Sequence, residues 1–359
     1  MVKLLKGALV CSPFIHFLFI GKPILTSQAL LSICFELAVI LFFLIGTRKR
    51  EPDLKSSMLF FAYIIASSLY LIGYGLLNVK GLNSVFFPLI HVSVFMLFYS
   101  AACYLVDKDL YHKLSRVIVY PAVILSLYAF FQYFKIDMFK FDGAWLDGTL
   151  GNPTNNAMYL TACLPFAFIH KRPMIPALII LLAIVAFNSA SALIGAIVII
   201  YGYLLAKRKF KIVGITTIIC MILYILLYEK TKTFFYSYEK LQAWQVAVES
   251  WKTNYIFGRG LDTFKNLNLV MNHSKWFFTH NHYIWILHSL GLAGLILFFN
   301  WMRSLKFIFD PTDIRFIATL SLIGVAVMAC ASVPMRVYPI VLITGFNLAI
   351  LTKEKDFLL

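Results

Sequence analysis

The sequence predicts an all-α polytopic membrane protein of about 12 transmembrane helices. Three observations carry this. Apolar types make up 61% of the 359 residues and charged types only 13%, against roughly 45–50% and 25% in ordinary soluble domains, and the mean hydropathy is +0.83. A soluble chain of this length buries about three quarters of its surface, and so few charges would poorly cover the rest. A soluble globular enzyme is therefore nearly ruled out, as is a disordered chain, which needs low hydrophobicity. Second, apolar runs recur at about 7–21, 28–46, 57–77, 84–105, 114–132, 153–169, 174–188, 190–206, 212–229, 282–300, 314–332 and 335–351, near or somewhat short of the ~20 residues of a span. Third, Lys and Arg gather at alternate junctions between these runs.

The first run follows Lys3 and Lys6 and has no convincing cleavage site after it, so it reads as a span rather than a removed signal peptide. Residues 174–206 are too long for one span. Asn188, Ser189 and Ser191 mark their middle and divide them into a tight hairpin. Twelve spans put both termini on one side. With the N-terminus in the cytoplasm, every short cytoplasmic connection is basic: Arg48 to Lys55, Lys108 to Arg116, Lys171 and Arg172, Lys207 to Lys211, Arg303 to Arg315. Together with both termini these hold twenty of the 32 basic residues, as the positive-inside rule expects. The net charge of +16 thus needs no nucleic acid as partner. The six cysteines lie in or beside apolar runs without metal-ligand spacing or a disulfide pattern.

The chain is expected to form one transmembrane domain over 1–359, with two larger pieces on the outer side, a short loop at 133–152 and a long one at 230–281. Within the latter, 237–254 reads as an amphipathic helix. Leu241, Trp244, Val248 and Trp251 form an apolar stripe, suited to the membrane surface or the roof of a cavity. Gly258 and Gly260 then break the chain.

Polar and titratable groups converge on this outer side: Gly151 to Asn156, Asn188 to Ser191, Lys240, Gly258 to Asp262, Thr279 to His282, and Arg336 after Pro334. Each has a bland reading beside a functional one. Asn152 is a natural helix cap; Ser189 can satisfy a hairpin; Lys240 can be simply solvated. Arg336 can anchor a helix end, Arg259 can serve the turn that frames it, and His282 can be a structural partner. Glu36 lies inside a span but far from the cluster and is left outside the site. No DxD, HExxH, GxSxG or P-loop motif occurs, and the outer acids form no set for two-metal catalysis. Basic residues with one histidine suit an anionic substrate whose leaving group is phosphate. Lys240, Arg259 and Arg336 would hold a diphosphate, and His280 would polarise or deprotonate a hydroxyl.

The run GNPTNNAMYLTACLPFAF at 151–168 resembles the GNPN-x-x-A motif of the bacterial O-antigen ligase and O-antigen polymerase superfamily. KLQAWQVAVESW from Lys240 with FGRGLDTF at 257–264 is similar to its R-x-x-x-W…G-x-G-x-x-x-F segment, and THNHYIWILHSLGLAGLILFF at 279–299 to its HN-x-x-L…G-x-x-G signature. The resemblance implies a GT-C-like glycosyltransferase bundle in the bacterial inner membrane, its site facing the periplasm. It implies transfer of a glycan from undecaprenyl diphosphate to lipid A-core or to another glycan, without metal or cofactor. The family histidine falls on His280. The family arginine falls on Lys240, a departure, and a second arginine is missing beside Ser189, where Ala190 stands. Asn152, Asn155, Asn156, Ser189, Asn281 and His282 are the expected substrate contacts. Ligase and polymerase share these motifs, and the moderate outer segment leans toward a ligase. A lipid or polysaccharide transporter would instead favour paired discontinuous helices.

Overall fold

The structure, a computed structural model, describes residues 2–14, 55–75, 92, 95–96, 98–136, 148–170, 172–214, 217, 238–261, 263–264 and 279–352. The expected span 28–46 with Glu36, most of the loop 133–152, most of the run 212–229, and the termini beyond 352 lie outside the described residues.

Every described element is helical. In chain order they are α1 (Val2–Cys11), α2 (Lys55–Gly75), α3 (Lys108–Tyr133), α4 (Pro153–Ala167), α5 (Met174–Ala186), α6 (Ala190–Ala206), α7 (Tyr238–Lys252), α8 (His282–Ser304), α9 (Arg315–Ala329) and α10 (Tyr338–Leu351). Short 3-10 turns lie at Gly148–Leu150 and Pro334–Arg336. Among these, α3 and α8 are long and apolar enough to cross a membrane.

Helix α4 is central. The Asn152 side chain accepts from the N–H groups of Thr154 (2.8 Å) and Asn155 (3.4 Å), and Pro153 has no N–H to satisfy. From Asn156 to Ala167 every residue is buried, as expected of a helix apolar on all sides. It packs against α3, α5, α6, α9 and α10. Buried hydroxyls tie the layers. Thr161 donates to Ala192 O (3.1 Å), Ser321 to Ala162 O (2.7 Å), and the Tyr111 hydroxyl to Asn347 Oδ1 (2.8 Å). Helices α6 and α9 touch through glycines, where a methyl on Gly195 would come within 2.9 Å of Met328, the close approach expected of membrane helix pairs.

The outward faces are apolar. Tyr120, Ile124, Leu127 and Phe131 on α3, and Ile175, Leu178, Leu182 and Val185 on α5, are all exposed at helical spacing. A soluble protein rarely leaves such stripes to water. The long apolar run 174–206 is divided at Asn188, which takes a left-handed conformation at φ 53°.

At the bundle end where α9 begins, the Arg315 side chain is only 2% exposed. Its guanidinium forms a two-pronged pair with Asp313, Nη2 to Oδ2 at 2.6 Å and Nε to Oδ2 at 3.0 Å. Burial tends to raise the Asp313 carboxyl, but the Arg315 hydrogen bonds and charge outweigh it and hold it below the usual carboxylate range. Removing Asp313 leaves the buried Arg315 charge uncompensated; because the Asp313 side chain is 22% exposed, the cost falls below the ~3–5 kcal/mol of a fully buried pair. Asp313→Ala is therefore expected to lower protein abundance in membranes sharply, and Arg315→Met with Asp313→Ala to recover much of it. Equal abundance of Asp313→Ala and wild type on a quantitative blot would refute this role.

Helix α8 is interrupted. Gly291 sits at φ 67°, ψ −169°, and residues 255–260 fill the gap. The N–H groups of Arg259 and Gly260 donate to His288 O (2.8 Å) and Ser289 O (2.9 Å). Leu292 and Ala293 donate in turn to Tyr255 O (2.9 Å) and Ile256 O (3.0 Å). The Tyr63 hydroxyl of α2 donates to Leu290 O at 2.8 Å. Backbone groups released by the break are thus satisfied by another segment, as membrane-depth irregular backbone requires.

Helix α7 lies beside the first half of α8. Ala243 and Ala247 are its fully buried residues, packed with Phe264 and Ile284. The expected stripe of Leu241, Trp244, Val248 and Trp251 is only half-buried. Alanine lets the two helices approach closely, and tryptophan at the contact would hold them apart.

Candidate functional site

The N-terminus of α8 is a tight turn made by Thr279, His280 and Asn281. The Thr279 hydroxyl donates to Asn281 O at 2.8 Å, and Asn281 Oδ1 caps the Ile284 N–H at 3.0 Å. Asn281 Nδ2 donates to Cys330 O at 2.7 Å, fixing the turn to the end of α9. Between them His280 is left-handed, φ 50°, a conformation that costs a non-glycine residue about 1–2 kcal/mol.

Three histidines leave this stretch in three directions, each within electrostatic reach of a different cation. His280 faces Lys240 of α7, His282 faces Arg336, and His288 faces Arg259. Burial, and then the charge of Lys240, push the His280 imidazole down to about 4. Burial also lowers the Lys240 ammonium from its ordinary value. His280 is therefore neutral near pH 7 and able to accept a proton. Were His280 to serve as a base, the acid limb of its kcat/KM would fall near pH 4 rather than the ordinary ~6.5, and Lys240→Gln would move it upward. Stability follows the same group. Between about 6.5 and 4 the unfolded chain holds the extra proton, so stability falls as pH falls through that window. A limb at 6.5 in a pH–rate profile would contradict this.

His282 and Arg336 line a cavity of about 370 Å³. The remaining wall is almost wholly apolar, including Phe60, Phe95, Phe298, Trp301, Leu322 and Leu348. It reaches along α8 from His282 to Met302, twenty residues or roughly 30 Å of helix. The His282 ring stacks on Trp285, centroids 5.2 Å apart and planes at 20°. His282 Nδ1 and Trp285 Nε1 are buried without hydrogen-bond partners, although both residues line the cavity.

The other sequence candidates serve the fold in visible ways. Asn152 caps α4. Asn156 is fully buried, its Oδ1 accepting from Leu150 N–H (3.2 Å) and its Nδ2 donating to Asn152 O (2.8 Å). Asn155 is half-buried in the first turn of α4. Ser189 is buried with its Oγ 3.4 Å from that of Ser191. Arg259 is exposed, its backbone joined to the break in α8. The structure thus gathers His280, His282, Lys240 and Arg336 around the start of α8 and sets Arg259 apart at the break. Trp285 and His288 were not singled out from the sequence. Trp285 was discoverable, since residues three apart share a helix face; His288 carries no such signal.

Among the described residues, all-helical architecture, outward apolar stripes and an apolar cavity lined by a single cation, Arg336, are consistent with a helical membrane protein. No protein-family model matches the chain, and no curated protein matches it.

Proposed function

We propose that the protein is a glycosyltransferase of the bacterial inner membrane, multi-pass with both termini cytoplasmic and its site toward the periplasm. It moves a glycan from undecaprenyl diphosphate to a lipid A-core sugar hydroxyl, in the manner of an O-antigen ligase. The observation that carries this is the apolar cavity lined by His282 and Arg336, with neutral His280 two residues from His282. The polyprenyl tail fills the cavity. Arg336, with His282 and Trp285, receives the diphosphate, where each charge-assisted hydrogen bond contributes about 1.5–3 kcal/mol. His280 accepts the proton of the acceptor hydroxyl, whose oxygen attacks the anomeric carbon as the diphosphate leaves with the bonding electron pair. Direct displacement inverts that centre. Burial keeps His280 neutral and the charge of Lys240 adds to it; replacement of Lys240 by arginine preserves that charge.

Polymerisation of lipid-linked repeat units is the alternative with the same chemistry, and the acceptor separates the two. The break in α8 favours a transporter in one respect, because discontinuous helices build transport sites. Here, however, four backbone hydrogen bonds with 255–260 and one from Tyr63 close the main chain at the break, although the His288 ring and the Ser289 hydroxyl beside it are buried without partners. The test is transfer by purified protein in EDTA from a glycan-bearing undecaprenyl diphosphate, with lipid A-core and a second lipid-linked repeat offered separately. Product on the core supports the ligase and product on the repeat the polymerase; no product on either, or activity only after added magnesium or manganese, overturns the mechanism.

A further inference from the structure

Two exposed helix faces meet at the bundle end where α3 and α5 begin. The turn leading into α5 touches α3 near its start. There His170 Nε2 donates to Arg116 O (3.3 Å), and the Tyr120 ring meets the His170 ring edge-on, centroids 5.9 Å apart. The two helices then pack side by side. Arg116 and Tyr120 run directly into the exposed stripe of α3, since 116, 120, 124 and 127 share one helix face. Arg172, exposed two residues before α5, heads the stripe of that helix in the same way. The surface is thus cationic at one end, aromatic next, with Tyr120 59% exposed, and aliphatic beyond. From Arg116 to Leu127 is roughly 16 Å of helix, against about 15 Å for half the hydrocarbon core of a bilayer. The stripe matches one acyl chain of one leaflet.

The positive charge here has little acid around it. The chain holds no Asp or Glu from 148 to 228, although six Lys and Arg lie in that stretch. Along α3 the nearest acid, Asp109, is about 10 Å of helix from Arg116. Among the described residues, Arg116 and Arg172 take part in no ion pair. A guanidinium is a fork for phosphate oxygens, and tyrosine settles at headgroup level. We propose that this face binds an anionic glycerophospholipid, its phosphate at Arg116 and Arg172, its glycerol against Tyr120 and an acyl chain along the stripes of α3 and α5. A zwitterionic lipid carries its own ammonium, which the two guanidiniums repel. A soluble phosphate ester has no chain for the stripes. The cavity that holds His282 and Arg336 is lined by other helices, so this lipid is separate from any donor there and its binding does not depend on the transfer reaction.

The experiment is native mass spectrometry of the full chain in detergent micelles, titrated with phosphatidylglycerol, with phosphatidylcholine of the same acyl chains, and with glycerol phosphate. Each cation near a membrane surface contributes about fivefold in affinity for an anionic lipid. The first phosphatidylglycerol should therefore bind about 25-fold more tightly than the first phosphatidylcholine, and glycerol phosphate should not bind detectably. Arg116→Gln with Arg172→Gln should bring phosphatidylglycerol down to the level of phosphatidylcholine, and Arg116→Lys with Arg172→Lys should keep most of the preference. Arg208→Gln with Lys209→Gln removes the same charge from exposed positions after α6 and should change affinity by less than about twofold. Equal affinity of the wild type for the two lipids, or glycerol phosphate bound as tightly as phosphatidylglycerol, overturns the proposal without recourse to any variant. Equal losses in the two glutamine pairs, or a preference that survives in the Arg116 and Arg172 pair, overturns it as well.

Discussion

His280→Ala is expected to lose transfer by at least about 100-fold, the usual scale of a positioned general base. The turn that holds the side chain keeps the bonds of Thr279 and Asn281, which they make through their own groups. Membrane abundance should stay near wild type, and the loss should fall on kcat. His282→Ala should behave differently. Its ring lines the cavity with Arg336, so its removal should raise KM for the lipid donor more than it lowers kcat. Steady-state kinetics of the two variants, each normalised to protein in the membrane, make the comparison. Wild-type kcat in His280→Ala would end the mechanism.

Gly291→Ala and Gly258→Ala are expected to be the most damaging substitutions for the fold. Both residues have positive φ, 67° and 75°, which alone costs alanine about 1–2 kcal/mol. Space is the larger obstacle. A methyl on Gly291 would meet the Ile256 carbonyl oxygen and lie 2.5 Å from Gly258 N; a methyl on Gly258 would lie 2.5 Å from Gly291 N and 2.6 Å from Leu290 N. These are backbone atoms, with no side chain to swing aside. The joint must open, releasing the four backbone hydrogen bonds that cross it. Most folded protein should be lost in either variant, whereas Gly214→Ala, with nothing within 4 Å, should be neutral. Protease resistance of the protein in membranes reads all three, and a resistant, active Gly291→Ala would show that the joint is dispensable.

The sequence made the local features legible because their causes are local. Asn152 before Pro153 announces the start of α4, and Asn188 the bend between α5 and α6, through the conformational preferences of those residues alone. The stripe on α7 shows the limit of periodicity. A period reveals which residues share a face, while the neighbour decides which face is buried; here close approach to α8 selected Ala243 and Ala247 over the tryptophans. Pairing of 255–260 with the break in α8 joins segments some thirty residues apart with no repeat to advertise it. Gly291 therefore reads from sequence as a packing glycine of an unbroken helix. The cavity is likewise a product of α2, α8, α9 and α10 together, and no single stretch of sequence contains it.

The interrupted helix also has a consequence for biogenesis. Segment 255–260 leaves the ribosome before Gly291 does, so the strand that fills the gap already exists when the gap emerges. Without it, a nascent 282–304 segment has every reason to close its own i to i−4 bonds and insert as one straight rod. The break is therefore a property of assembly, and a chain that receives these two segments in the reverse order, as in a circular permutant, would have to unwind an inserted helix to reach the native joint.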